Sequence, residues 1–299
     1  MRLAPRHGYA VSSLPWYNPF GRRIVVSGRA SASPSSRRVW EGIEMKDIRI
    51  GSLSVSKVLC GTNAFFGRSH FSAARDAEYA RRFDDEAIGR AIGHALSLGM
   101  NAVEGSASER MSEVLDGVRR TTGKDALFVG STRIDETSPI RSHQQKLELL
   151  LAQRAPICVI HSQYVEPAAS DTPPAGLERM VDAIHAAGLL AGVSVHRVGA
   201  VAACERSGYG IDAYLFPLNL SGFVYPGYAG QETPRERADL VRGTAKPFIL
   251  MKALGAGRIP PDEGLHFVAE SCKPTDALSI GFGSEAEMDE TVRLVGKYF

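Results

Sequence analysis

The chain has 299 residues, of which 44% are hydrophobic, and a formal net charge of +2. This length and composition allow one large core, and a single α/β barrel of about 250 residues is within the size that one domain reaches. The near balance of charge gives no indication of nucleic acid or of an anionic membrane surface as a partner. No apolar run approaches the roughly 18–20 residues that span a bilayer, so a soluble chain is expected.

The sequence predicts neither a disulfide framework nor a metal site. Its cysteines are widely spaced, without a Cys-x-x-Cys pair, as in proteins of the reducing cytoplasm, so we expect a cytoplasmic protein with unpaired thiols. A metal site built from Glu104, His161 and His196 is conceivable. No spacing such as His-x-x-x-His supports it, and no metal is therefore predicted. The four cysteines are Cys60, Cys158, Cys204 and Cys272.

Residues 1–44 differ in composition from the rest of the chain. Residues 27–38 read SGRASASPSSRR, and acidic residues are almost lacking before Glu41. Such a segment is typical of disorder, and an Arg-rich, acid-poor start also resembles an organelle transit peptide. We favour a third interpretation, because residues 40–42 (WEG) are what a purine-rich ribosome-binding sequence would encode shortly before Met45. Residues 1–44 are thus predicted to be a disordered or non-native extension, and residues 45–299 the folded domain.

From Met45 onward, short apolar segments alternate with amphipathic ones. Residues 48–56 alternate around Gly51-Ser52 and predict a lead-in hairpin. Eight strand-and-helix units follow, with strands that are aliphatic on both faces. This order predicts a (β/α)8 TIM barrel with an N-terminal β-hairpin lid, whereas an open doubly wound sheet, the alternative, rarely needs eight such units. Strands are predicted at 57–61, 101–103, 126–130, 157–160, 189–194, 213–216, 247–251 and 277–280, and helices at 85–97, 108–121, 139–154, 177–187, 198–207, 234–242, 263–272 and 285–298.

The carboxyl ends of the predicted strands are polar, and barrels of this kind have their active sites there. Glu104 follows an apolar strand, where a carboxylate is either a site residue or a cap of the next helix. His161 directly follows ICVI, so its imidazole is expected to project into the barrel mouth as a general acid or base. Lys252 is expected to face Glu104 or a substrate anion, because a buried ammonium group is costly without a partner, and Schiff-base formation is an alternative role. The predicted catalytic residues are Glu104, Glu109, Arg133, His161 and Lys252.

Two glycine-bearing segments follow the last two predicted strands. They are LGAGR at residues 254–258 and GFGS at residues 281–284. Both offer backbone N–H groups without side-chain obstruction where such barrels commonly hold a phosphate, although they could also be plain turns and helix starts. The residues predicted to bind a cofactor here are Gly255, Gly257, Arg258, Gly281, Gly283 and Ser284.

The order of these motifs resembles the aldo-keto reductase superfamily. The resemblance extends from Met45 to the C-terminus, and the forms MKALGAGR and FPLN are closest to a divergent branch often labelled predicted oxidoreductases. It implies a barrel that reduces carbonyl compounds with NADP or NAD. The stretches that carry it are VSKVLCGTNAFFG, AIGHALSLGMNAVEGSASE, LFVGSTR, ICVIHSQ, AGVSVHR, FPLN, ILMKALGAGRI and LSIGFGSEAEMDE.

At most positions where the family has a functional residue, this sequence has a residue of a different type. The catalytic Asp, Tyr, Lys and His of the family correspond to Glu104, Glu109, Arg133 and His161, so that only the histidine is kept. Ser194 matches the serine of a cofactor-binding Ser-Asn pair, and the glycine-rich phosphate cradle is also kept. The remaining cofactor residues are replaced, with Val195 for the Asn of that pair, Leu215 for a Gln, Met251 for the Tyr that stacks on nicotinamide, and a position near Glu287 for the Arg that reads the 2′-phosphate.

These correspondences favour an aldo-keto-reductase-like oxidoreductase that acts on a small carbonyl or sugar-like substrate. Carbonyl reduction needs an acid to protonate the developing alkoxide, and the usual tyrosine is absent, so the ordinary mechanism of the family is not implied. One alternative is a non-redox isomerase or lyase that uses Glu104 and His161 as acid and base, with Lys252 and Arg133 holding an anionic intermediate. The other is a catalytically inactive barrel that serves as a binding protein.

Overall fold

A computed structural model describes residues 44–132, 139–166, 172–222 and 232–299. The extension predicted for residues 1–44 lies outside these ranges except for Glu44, and so does Arg133. Predictions about these residues therefore remain predictions.

Eight parallel strands close into a barrel, which confirms the predicted fold class. Strands β3 to β9 follow one another around the barrel, and β10 closes it by pairing with both β3 and β9. The hairpin is also present, as two antiparallel strands that precede the barrel strands along the chain. The strands are β1 (Asp47–Ile50), β2 (Leu53–Ser56), β3 (Val58–Gly61), β4 (Ala102–Ser106), β5 (Leu127–Thr132), β6 (Ile157–Ile160), β7 (Leu190–Ser194), β8 (Ala213–Pro217), β9 (Phe248–Met251) and β10 (Ala277–Gly281).

The helices begin where the sequence supplies capping residues. The side chain of Asp84 accepts a hydrogen bond from the Ala87 amide, and Thr233 forms a capping box with Glu236. Both arrangements satisfy amide groups that a helix N-terminus leaves without an internal partner. The helices are α1 (Ala73–Arg82), α2 (Asp85–Ser97), α3 (Glu109–Thr122), α4 (Pro139–Ala152), α5 (Ser162–Val165), α6 (Leu177–Ala186), α7 (Val198–Ser207), α8 (Pro234–Gly243), α9 (Pro261–Ser271) and α10 (Glu285–Tyr298), with a 3₁₀ turn at Ala64–Phe66.

Two helices were not predicted, and both lie in loops at the carboxyl ends of strands. Helix α1 buries only Tyr79 along its length, so its sequence lacks the wide apolar stripe of a core helix. Helix α5 is a single turn and too short for a periodic signal. Strand β4 is longer than predicted and contains Glu104, because polar side chains at a barrel mouth do not end the backbone ladder.

The hairpin closes the amino-terminal end of the barrel. Ile48, Ile50 and Val55 of the hairpin share one apolar cluster with the first inward-facing residues of the barrel strands, such as Ala102 and Ile157. A second and larger cluster lies between the outer faces of the strands and the surrounding helices. Side chains of the hairpin and of the strands thus fill the amino-terminal end of the barrel interior. An active site is therefore expected at the carboxyl end of the strands.

Two further observations concern the predictions about membrane spans and about cysteines. Within the described ranges, no helix is long and apolar enough to cross a membrane. All four cysteines have free thiols, and three of them are buried.

Candidate active site

The alternation of side chains along the strands directs Glu104 into the mouth of the barrel. Ala102 and Glu104 share the inner face of β4, while Val103 packs outward against the helices. Ser279 occupies the corresponding inner position of β10, and its Oγ donates a 3.0 Å hydrogen bond to Glu104 Oε2. The strand between them, β3, presents Gly61, where a Cβ would come within 3.0 Å of Ser279 Oγ. The glycine therefore leaves room for the two side chains to meet.

Glu104 is a carboxylic acid whose pKa lies near neutral pH. Burial raises the pKa of Glu104 to about 7, and the hydrogen bond from Ser279, which favours the charged form, opposes this shift only in part. Desolvation is the larger of the two effects, so Glu104 can both donate and accept a proton near pH 7.

A cavity of about 500 Å³ opens above Glu104, a size that suits a ligand the size of a cofactor fragment or a sugar. It extends from the mouth of the barrel toward the loops that follow β9 and β10. Its charged lining residues include Arg68 and Arg75 and, on helix α10, Glu287 and Glu290. Other lining residues include Asn63, His70, Met251, Lys252, Gly257, Arg258, Ser279 and Gly281.

Lys252 lines the same cavity at the end of β9. Its φ of +60° lies in the left-handed region, which is unusual for a residue other than glycine. Its carbonyl accepts hydrogen bonds from Asn219 Nδ2 at 3.1 Å and from the Gly255 amide at 2.9 Å. These two bonds hold the backbone in the strained conformation.

The charge of Lys252 responds to groups on the β7 and β8 side of the mouth. Burial and, to a smaller extent, the positive charge of Arg237 lower the pKa of Lys252 to about 8, against the opposing negative charge of Glu166. The sequence predicted that Lys252 faces Glu104 or a substrate anion. Both residues line one cavity, and the partner of Lys252 there stays a prediction.

A buried polar cluster beside Lys252 was missed by the sequence reasoning. The carboxylate of Glu166, only 1% exposed, pairs with His196 Nδ1 at 2.9 Å and accepts hydrogen bonds from the amides of His196 and Arg197 at 2.8 Å each. Burial would raise the pKa of Glu166, but the bonds with His196 outweigh it and lower the pKa. Arg237, also 1% exposed, donates to the His196 carbonyl at 2.8 Å and to Glu232 at 2.8 Å. Glu166 directly follows the single-turn helix α5, where the sequence has no periodic pattern. Its partners come from distant parts of the chain, so the sequence alone did not indicate this cluster.

Two predicted catalytic residues lie away from this cavity. Glu109 is exposed in the first turn of α3, where a carboxylate favours the positive end of the helix dipole. His161 caps helix α5, with its Nδ1 accepting a hydrogen bond from the Gln163 amide at 3.2 Å. Neither residue is among those that line the cavity above Glu104. Their catalytic roles stay predictions.

The predicted cofactor residues divide between the cavity and its surroundings. Gly257, Arg258 and Gly281 line the cavity, and a side chain at Gly257 would project into open space. Ser194 is buried on the inner face of β7, outside the cavity lining. The amides of Gly255 and Gly257 donate to the carbonyls of Lys252 and Leu254. The loop after β9 is therefore a series of tight turns as well as a wall of the cavity.

The amino terminus of α10 is occupied by a side chain of the helix itself. The Gly283 amide donates a 2.7 Å hydrogen bond to Glu287 Oε2, and Ser284 Oγ accepts one from the Glu287 amide at 3.3 Å. Glu287 thus takes the position at the helix start that an external anion would otherwise favour. Gly283 and Ser284 line a separate hollow with Arg82.

Replacing Gly283 with alanine tests how tightly this helix start is packed. The added Cβ would lie 2.6 Å from Tyr79 Oη and 3.0 Å from its ring, and Tyr79 is buried. We expect the Gly283→Ala variant to lose about 1–3 kcal/mol of unfolding free energy through overpacking, measured by urea denaturation. Gly89→Ala is the matched control, because its Cβ would meet nothing within 4 Å in helix α2, and it should gain up to about 1 kcal/mol. Equal stability of the two variants would contradict the described packing.

The described residues contain no group of His, Cys, Asp or Glu side chains arranged to hold a metal ion. His196, one member of the metal site considered from the sequence, instead pairs with Glu166. Burial lowers the pKa of His196, although the bond with Glu166 raises it in part, so a neutral imidazole is favoured.

Comparison with solved structures relates the chain to several barrels at low sequence identity. A protein of Pseudomonas aeruginosa provisionally described as an aldo-keto reductase is 19% identical, with a TM-score of 0.59 over 84% of this chain and 95% of that one. An aldo/keto reductase from Brucella melitensis is 11% identical, with a TM-score of 0.58 over 84% and 93%. Glycerol dehydrogenase from Gluconobacter oxydans is 14% identical, with a TM-score of 0.51 over 85% and 96%.

A barrel of another activity is also similar. A truncated 3-deoxy-D-arabino-heptulosonate 7-phosphate synthase from Thermotoga maritima is 12% identical, with a TM-score of 0.51 over 85% and 92% of the two chains. No protein-family model matches the sequence. No curated protein matches it either. These comparisons show the fold alone: the chain shares its (β/α)8 barrel both with proteins described as aldo-keto reductases and with a barrel of another activity.

Proposed function

We propose that the chain is an oxidoreductase of the aldo-keto reductase type that reduces a small carbonyl or sugar-like substrate, with Glu104 as the proton donor. The observation that carries this proposal is a carboxylic acid with a pKa raised to about 7 at the base of a 500 Å³ cavity. A reductase needs an acid beside the carbonyl oxygen. The fold shared with aldo-keto reductases supports the same class.

The cavity walls suit a nicotinamide dinucleotide in two respects. Arg68 and Arg75 supply positive charge for a pyrophosphate, and the open position at Gly257 permits close approach of the backbone. Glu287 and Glu290 place negative charge on helix α10, where a 2′-phosphate would be repelled. We therefore infer a preference for NAD(H) over NADP(H). A bound nicotinamide would supply the hydride.

Glu104 then performs the proton transfer. In its protonated form it donates to the carbonyl oxygen as negative charge develops there, and it is left as a carboxylate. The Ser279 hydroxyl, 3.0 Å from Oε2, stabilises that carboxylate. Since the acid must be protonated beforehand, reduction should slow as the pH rises through about 7.

Cofactor titration tests the proposal directly. NADH at about 100 times its dissociation constant should stabilise the protein by about 2.7 kcal/mol, which corresponds to a rise of about 5–10 °C in the melting temperature. NADPH should bind more weakly. Glu290→Lys, at an exposed position, should improve NADPH binding by about tenfold, or ~1.4 kcal/mol, without changing NADH binding as much. If neither cofactor shifts the melting temperature, the proposed oxidoreductase function is wrong.

A non-redox isomerase or lyase is the second candidate. It is favoured by the internal hydrogen bonds of the Gly255, Gly257 and Gly283 amides, which leave fewer backbone donors for a phosphate. Glu104 would then move protons between carbon and oxygen of the substrate without a nicotinamide. Turnover of a carbonyl compound in the absence of both cofactors would favour this candidate.

A further inference from the structure

We propose that Lys252 is a nucleophilic amine that forms an imine with an aldehyde or ketone bound in the cavity above Glu104. This second chemistry needs no nicotinamide and goes beyond the proposed oxidoreductase function. It rests first on position, because Lys252 follows β9 at the barrel mouth and lines a cavity of about 500 Å³. A carbonyl compound in that cavity therefore lies beside the lysine.

The backbone of Lys252 is held in a strained conformation. The next position along β9 would direct its side chain away from the barrel interior, because Met251 lies on the inner face. The strand ends instead, with a φ of +60° at Lys252. Asn219, which is fully buried, and the Gly255 amide both donate to its carbonyl. Strain that the surroundings maintain in this way is common at active sites, where it positions a reacting group.

The electrostatic surroundings favour the neutral amine. Burial and the positive charge of Arg237 lower the pKa of Lys252 to about 8, against the opposing charge of Glu166. Roughly one Lys252 side chain in ten is then neutral at pH 7, compared with fewer than about one in a thousand for a lysine with a pKa of about 10.4. Only the neutral amine can attack a carbonyl carbon.

Neighbouring groups can accept and supply protons. His70 lines the same cavity, and burial together with the charge of Lys252 lowers the pKa of His70 to about 4, so its imidazole is neutral at pH 7. His196 lies close enough for the charge of Lys252 to lower its pKa as well, after the larger effect of burial. Glu104, at the base of the cavity, holds a proton on part of the molecules near pH 7.

The step balances without an oxidant or a reductant. The amine nitrogen attacks the carbonyl carbon, the carbonyl oxygen takes up a proton, and nitrogen loses one, which gives a carbinolamine. The carbon–oxygen bond then breaks as the oxygen leaves as water, and a carbon–nitrogen double bond remains. The sum is one carbonyl compound and one lysine amine converted to one imine and one water. Protonation of the imine nitrogen produces an electron-withdrawing group that favours bond breaking at the adjacent carbon.

Reductive trapping tests this assignment on the full-length protein. Glyceraldehyde and hydroxyacetone serve as probes, with sodium cyanoborohydride to convert any imine to a stable secondary amine. We expect a brief reaction at pH 7 to add one probe, with peptide mapping placing it on Lys252. The comparison lysine is Lys297, which is 54% exposed and has a raised pKa. Lys252 should be labelled more than about 100 times faster, in line with the difference in the fraction of neutral amine.

Two lysine variants distinguish labelling at Lys252 from the general reactivity of exposed lysines. Lys252→Arg should lose the fast label, while Lys297→Arg should keep it, and circular dichroism should show that both are folded. Mapping of the unaltered protein decides the matter even if Lys252→Arg fails to fold. Labels spread over exposed lysines, with Lys252 no faster than Lys297, would overturn the proposal. Since no nicotinamide is present, this outcome is independent of the cofactor titration.

Discussion

Replacing Glu104 with glutamine should slow turnover by at least about 100-fold and at the same time make the protein more stable above pH 7. The amide keeps the shape of the side chain, and its oxygen can still accept the hydrogen bond from Ser279. It cannot donate a proton as an acid, so the rate of carbonyl reduction should fall by about 10²–10⁴-fold. The gain in stability follows because the variant no longer ionises a carboxyl at the desolvated base of the cavity.

The direction of the pH effect follows from the two states of Glu104. Its pKa is raised from an ordinary value of 4.5 to about 7 in the folded chain, so between these values the folded chain retains a proton that the unfolded chain has lost. The free energy of unfolding therefore falls as the pH rises through this window, by about 3 kcal/mol in total. Glu104→Gln should remove that decline and raise the melting temperature at pH 8 by about 5–10 °C.

Thermal melts at pH 5 and pH 8, together with turnover, check this prediction. Glu109→Gln is the matched control, since Glu109 is exposed in the first turn of α3 and outside the cavity lining. It should change stability by less than about 0.5 kcal/mol. A Glu104→Gln variant that retains turnover would remove Glu104 from the mechanism. One that is destabilised equally at both pH values would instead indicate an ordinary structural carboxylate.

Replacing the buried Arg237 should lower the free energy of unfolding more than the other substitutions proposed above. Its guanidinium, 1% exposed, donates to the carbonyls of His196 and Pro217 at 2.8 and 3.2 Å and pairs with Glu232 at 2.8 Å. Arg237→Met keeps most of the volume but leaves buried acceptors without these donors. Breaking a buried ion pair in this way costs about 3–5 kcal/mol, which urea denaturation would measure.

An exposed arginine on the same helix provides the control. Arg235, 91% exposed, pairs with Asp239 only at 3.8 Å, so Arg235→Met should change stability by less than about 1 kcal/mol. Loss of the Arg237 charge should also raise the pKa of Lys252, because that charge lowers it in the native protein. Trapping of the probe aldehyde should therefore slow at pH 7 in Arg237→Met. Stability equal to that of Arg235→Met would contradict the role assigned to the buried guanidinium.

The fold was largely predictable because each of its units is encoded locally. Helix α2 has its predicted bounds, Asp85–Ser97, since Asp84 caps it and its apolar residues recur at helical spacing. Strand β6 also has its predicted bounds, Ile157–Ile160, because it is aliphatic on both faces. The prediction failed at helix α1, where the sequence is rich in charged residues and a single tyrosine, Tyr79, is buried.

The candidate site was predictable only in its location. The sequence by itself determined that Glu104 and Lys252 lie toward the carboxyl ends of two barrel strands, because hydrophobic periodicity fixes the strands and the fold fixes which end is functional. The tertiary structure alone decided their ionisation and their partners. Desolvation depends on which atoms surround a group in three dimensions, and it made Glu104 an acid poised near neutrality and Lys252 a weakly basic amine. The cluster of Glu166, His196 and Arg237 arises for the same reason, since its members come from distant segments that meet only in the closed barrel.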